Sequence, residues 1–129
     1  KYLTMFYGVI NWSNHQLRYS GGGQFPFPIL FDGEHASYVG KKSLPIGLFD
    51  FANYQTESLQ LPPQFALVLI SDGILETLPQ TSLRDKQAFL LEIVDATELT
   101  IENLIQKLGL DQSGSLPDDV TLLLIKRVE

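Results

Sequence analysis

Two runs of apolar residues organise this chain: Phe65-Ala66-Leu67-Val68-Leu69-Ile70 and Val120-Thr121-Leu122-Leu123-Leu124-Ile125. Neither alternates, so each reads as a strand in the middle of a sheet covered on both faces. Other segments are less uniformly apolar. Tyr2 to Ile10, rich in aromatic and β-branched residues, reads as a strand that turns through Asn11-Trp12-Ser13-Asn14 and returns along His15 to Ser20. The glycines Gly21-Gly22-Gly23 break that pattern. Pro28 to Phe31 and Ala36 to Val39 form a second hairpin around Asp32-Gly33, a dipeptide suited to positive φ. Lys41 to Asn53 is irregular, and Tyr54 to Leu61 reads as a half-polar strand.

Beyond Asp72 the period lengthens. Leu83, Ala88, Leu90, Leu91 and Val94 predict a helix over Leu83 to Val94. Thr100 to Leu108 predicts a second, with Thr97 or Thr100 as N-cap and Gly109 as its stop. Strands, two helices and a closing strand predict an α+β domain with helices packed on a mainly antiparallel sheet. The helices would cover one face of that sheet, and the chain offers little for the other.

The apolar runs also place the candidate chemistry. The first ends at Ser71-Asp72-Gly73 and the second is entered through Pro117-Asp118-Asp119. If the strands run antiparallel as neighbours, Asp72 meets Asp118 and Asp119 at one sheet edge. Carboxylates so grouped suit a hard divalent cation such as Mg²⁺ or Mn²⁺. Successive strand side chains point to opposite faces, so Asp118 and Asp119 would not reach one ion alike. One would ligate it, and the other would support that ligand or help hold a second ion. Each dipeptide alone is an ordinary turn signal. A cost of leaving carboxylates unpaired beside buried strands raises the metal reading.

Composition narrows the alternatives. The chain has 129 residues, one domain or a large piece of one, with 44% hydrophobic and 19% charged residues. It has no Cys and only two His, which excludes disulfides and thiolate–zinc sites and leaves oxygen to hold any metal. A net charge of −6 and the lack of any basic run beyond Lys41-Lys42 argue against nucleic-acid binding. No stretch approaches membrane-spanning length, and the missing Cys suits a cytoplasmic protein. Gly21-Gly22-Gly23 lacks the Gly-Lys-Ser/Thr continuation of a phosphate loop, and no serine elbow or catalytic triad is visible. His15 and His35 read as surface residues beside turns.

Five segments in order carry a resemblance: Thr4-Met5-Phe6-Tyr7-Gly8-Val9, Tyr19-Ser20-Gly21-Gly22-Gly23-Gln24-Phe25-Pro26, Leu44-Pro45-Ile46-Gly47-Leu48, Ser71-Asp72-Gly73-Ile74 and Asp118-Asp119-Val120-Thr121. Together they resemble the bacterial SpoIIE-like branch of the metal-dependent type 2C (PPM) serine/threonine protein phosphatases, over nearly the whole chain. The resemblance implies an α-β-β-α sandwich, with a centre holding two Mn²⁺ or Mg²⁺ ions between the sheets. It makes Asp72 and Asp118 metal-binding, catalytic aspartates and sets Asp119 where relatives carry Asp or Asn. Gly73 would let the backbone approach the site closely. The implied reaction is hydrolysis of phosphoserine or phosphothreonine by a metal-bridged water, on a regulatory phosphoprotein such as an anti-sigma-factor antagonist.

Two departures qualify the match. The family's N-terminal strands carry a further Asp and a Gly-Asp pair, and the chain opens on Lys1 without them. Residues 1–129 are therefore expected to be the C-terminal part of such a domain, binding Mn²⁺ weakly and turning over little substrate alone. An apolar face left open would invite self-association into a homo-oligomer. Gln24 stands where relatives commonly have His, a change expected to alter a loop or substrate contact. A phosphatase-like module kept for partner binding or regulation is the competing reading.

Overall fold

The computed structural model describes residues 1–111 and 119–128. Among these residues seven strands and two helices follow one another: β1 (Met5–Asn11), β2 (Gln16–Gly22), β3 (Ile29–Phe31), β4 (Ala36–Tyr38), β5 (Glu57–Gln60), β6 (Phe65–Ile70), α1 (Leu83–Ala96), α2 (Ile101–Lys107) and β7 (Leu122–Arg127). A 3₁₀ turn at Asp72–Glu76, which the sequence pattern did not reveal, lies between β6 and α1. All strand pairs are antiparallel and form two sheets, β1-β2-β5 and β4-β3-β6-β7.

The period of two along β6 divides its apolar run between two cores. Ala66, Val68 and Ile70, with Ile29 of β3, pack against Leu90, Ile93 and Val94 of α1 and Leu104 of α2. Phe65 and Leu67, with Leu30 of β3, pack instead against Leu17 of β2, with Ile10, Tyr19 and Leu59 beside them. The layers are therefore small sheet, large sheet, helices, the β-β-α portion of an α-β-β-α sandwich. This corrects the expectation that one face of the large sheet goes uncovered, since the chain's own first hairpin covers it. On β1 the apolar residues Met5, Tyr7 and Val9 are exposed, on the outer face of the small sheet.

Only one of the two apolar runs is central. β6 lies between β3 and β7, whereas β7 is the edge of its sheet among the described residues. Leu123 is accordingly 50% exposed. Apolar character reports burial of side chains on the faces and not the number of strand neighbours, so an edge strand lined by two layers reads like a central one. β7 also starts two residues later than the run, because Thr121 is engaged with Ser71, and it extends to Arg127 opposite Phe65.

Local chemistry sets the helix limits. The Ser82 hydroxyl accepts from the Asp85 N–H and starts α1, and Thr100 does the same for Asn103 and α2. Gly109, at φ 73°, ends α2 in a Schellman arrangement, with the Leu110 N–H on the Ile105 carbonyl and the Gly109 N–H on that of Gln106. The two sheets are tied at the first hairpin turn. Trp12 stacks on Phe65 at 6.4 Å between centroids, and the Arg127 guanidinium lies 5.4 Å from the Trp12 ring while also touching His15 Nδ1. No helix among the described residues is long and apolar enough to cross a membrane.

Candidate metal centre

The end of the large sheet opposite that turn collects the segments singled out in the sequence. The register Ile70↔Leu122 brings the exit of β6 beside the entry of β7. Ser71 closes the pair: its N–H donates to the Thr121 carbonyl at 2.9 Å, and its hydroxyl accepts from the Thr121 N–H at 2.7 Å. Ser71 stands at the N-cap of the 3₁₀ turn, yet its hydroxyl does not cap that turn. It is spent across the strands instead, a role no sequence signal distinguished from capping.

Asp72 and Gly73 then pass alongside Asp119. A Cβ added at Gly73 would lie 2.1 Å from the Asp119 carbonyl oxygen and 3.4 Å from Val120 Cγ2. Glycine is required there by contact and not by a left-handed backbone. The turn is anchored below by Ile74, whose side chain is fully buried, and held by the Thr77 hydroxyl on the Ile74 carbonyl at 2.8 Å and the Lys86 ammonium on the Leu75 carbonyl.

Asp72 and Asp119 thus share one sheet end, on adjacent antiparallel strands. Asp118 lies outside the described residues. Both described aspartates are exposed, so burial of their charge is not what sets this place apart, contrary to the desolvation argument from sequence. Their oxygens suit Mg²⁺ or Mn²⁺ in kind. In number they form one side of a coordination shell: among the described residues no group of three or more His, Cys, Asp or Glu converges on a point.

The glycine run resolves into packing. Gly21 and Gly22 belong to β2, and a Cβ at Gly22 would come within 2.6 Å of Ile46. At Gly23, where φ is 71°, it would meet Pro45 at 2.9 Å, while the Gly23 N–H donates to Ser43 Oγ at 2.9 Å. The Gly-Gly-Gly and Pro45-Ile46 segments are therefore two halves of one contact. Leu3 and Ile46 exchange backbone hydrogen bonds above it.

Comparison with known proteins agrees with this architecture. The sequence model of the family described as stage II sporulation protein E (SpoIIE) matches residues 1–128. The phosphoserine phosphatase RsbU of Bacillus subtilis (strain 168) is 25% identical over 98% of the chain. The structure of the PP2C phosphatase domain of SpoIIE from Bacillus subtilis, with a fragment of its regulatory domain, superposes with a TM-score of 0.77 at 21% identity over 97% of the chain. The SpoIIE phosphatase domain from a manganese-presoaked crystal gives 0.72 at 20% identity over 95%. The chain spans 39% of the length of RsbU, and 37% and 55% of those two structures. With the family's sequence model matched almost end to end and the PP2C-type sandwich in place, the chain belongs to the SpoIIE family.

Proposed function

We infer that residues 1–129 form the C-terminal part of a SpoIIE-like phosphatase domain, and that the protein carrying them removes phosphate from Ser or Thr of a regulatory protein of the anti-sigma-factor antagonist type. The observation that carries this reading is the juxtaposition of Asp72 and Asp119 across β6 and β7, with Gly73 against the Asp119 carbonyl. Asp72, Asp118 and Asp119 would hold Mn²⁺ or Mg²⁺, two ions in the complete domain. Bound there, the metal supplies positive charge to the phosphoryl oxygens and acidifies the attacking water. Oxygen from water replaces the seryl or threonyl oxygen at phosphorus, the P–O ester bond breaks, and inorganic phosphate and the free hydroxyl leave. No side chain need carry the phosphoryl group, in keeping with a chain that has no Cys.

This chain's part is to fix the carboxylates. Ser71 sets the register, and the buried Ile74 holds the turn on which Asp72 starts. A second reading is a phosphatase-like module that binds partners without turnover; Gln24, standing where the family resemblance implies His, favours it. Assay of the full-length protein with Mn²⁺ on phosphoserine peptides separates them. Metal-dependent release of phosphate, lost in Asp72→Ala and Asp118→Ala, is expected of the enzyme. Activity surviving both substitutions would sink the assignment of those residues, and no activity in the wild type would leave the binding module.

A further inference from the structure

A cavity of about 350 Å³ opens beside the small sheet, lined by Phe6 and Tyr19 from it and by Phe27 and Val39 from the ends of β3 and β4. Its position follows from the register. Ile29 pairs with Val68 and with Tyr38, so Pro28 and Val39 lie level with the last residues of β6, at the Asp72 end of the large sheet. The cavity and the carboxylates therefore share one end of the sandwich.

Its wall has two characters. Phe6 and Tyr19 stack at 5.5 Å between centroids and give it an apolar side. Gln24 and Asn53 add amides, and Lys41, Lys42 and Glu57 add charge. Among the described residues Glu57 is the only acid in the wall, and Lys41 neutralises it through an ion pair of 2.6 Å. Lys42 has no carboxylate partner among the described residues. Among the described residues the wall thus carries one uncompensated positive charge, in a chain of net charge −6. A local excess opposite to the overall charge marks where an anionic group is drawn in, and the amides offer N–H donors to the same group.

We propose that this cavity is a specificity pocket for the protein substrate, receiving an aspartate or glutamate side chain close in sequence to the phosphorylated residue, with Lys42 as the residue that recognises its carboxylate. The proposal rests on the phosphatase reading for what lies beside the pocket. Its volume is at the small end of ligand sites, sized for a side chain and a little backbone. Gln24 takes a place here as a wall residue able to hydrogen-bond an extended peptide, which gives a use to a position the metal site leaves aside. A carboxylate on Lys42 is a charge-assisted contact at an exposed site, so it discriminates by up to about fivefold and weakens with salt.

The test is fluorescence anisotropy with the full-length protein and labelled phosphoserine peptides. Each pair of peptides differs only in Asp or Glu against Asn or Gln within three residues of the phosphoserine. The wild type is expected to bind the acidic member about threefold to fivefold more tightly at low salt. Lys42→Glu removes or inverts that preference, and a peptide with Lys in place of the acid regains affinity for the variant. Equal affinity of the wild type for both members, or an equal loss for both in Lys42→Glu, overturns the proposal. Turnover of p-nitrophenyl phosphate by the wild type, followed alongside, reports separately on the phosphatase reading. Turnover without acid preference removes only the pocket, whereas acid preference without turnover leaves an acid-binding cavity but removes the enzyme and with it the pocket's role in substrate choice.

Discussion

Gly73 and Asp119 meet so closely that a Cβ on Gly73 would fall 2.1 Å from the Asp119 carbonyl oxygen. That distance is far inside van der Waals contact, and the neighbour is backbone, which cannot swing aside. Gly73→Ala should therefore push the entry of β7 away from the 3₁₀ turn. Overpacking of this kind costs about 1–3 kcal/mol. Thermal or urea unfolding of Gly73→Ala would check it. A variant as stable as the wild type would show that the two segments are not in contact.

Asp72 is exposed, so removing its carboxylate should leave stability within about 0.5 kcal/mol. Phosphatase activity should behave differently. Loss of one group that stabilises charge at a reacting centre costs ~100-fold or more, and Asp72→Ala is expected to show it in the full-length protein with Mn²⁺. Asp119→Ala should cost less, since the family resemblance implies that this position also accepts Asn. Equal and small effects of both would separate these residues from the chemistry.

At the opposite end, Arg127 lies over Trp12 and touches His15, joining the first hairpin to the last strand. Arg127→Ala should destabilise the fold by about 1 kcal/mol, the scale of a partly exposed cation–π contact. Trp12 is the only tryptophan of the chain, so its intrinsic fluorescence reports this contact directly. An unchanged emission spectrum in Arg127→Ala would contradict the stacking.

Tyr38 joins β4 to α1 through its hydroxyl, which donates to the Gln87 carbonyl at 2.7 Å. Burial pushes its pKa up from 10.0 to about 12. The folded state thus favours the protonated phenol more than the unfolded state does. Its contribution is fully present below pH 10 and is lost as pH rises towards 12. Tyr38→Phe should be less stable than the wild type near neutral pH by roughly 1 kcal/mol, and should lose less stability between pH 10 and 12. Parallel urea midpoints for the two proteins across that window would refute the assignment.

Much of this protein is written locally. The apolar run of β6 ends where the sequence pattern ends it, Thr100 caps α2, and Gly109 stops it, because strand period, capping and a left-handed glycine act within a few residues. Asp72 and Asp119 could likewise be singled out as carboxylates bordering apolar strands. Other features depend on partners far along the chain. Whether β7 is central or at an edge follows from which strand lies beyond it. The cover over the inner face of β6 comes from β2, some fifty positions away, so no window of sequence carries it. The Ser71 hydroxyl could cap a turn or bridge strands, and only the register of β6 against β7 decides. In sequence, Gly22 and Gly23 read only as a break in the strand pattern, and Gly73 as a place of close backbone approach to a metal site. Tertiary contact with Ile46, Pro45 and Asp119 supplies the reason at all three, joined at Gly23 alone by a positive φ.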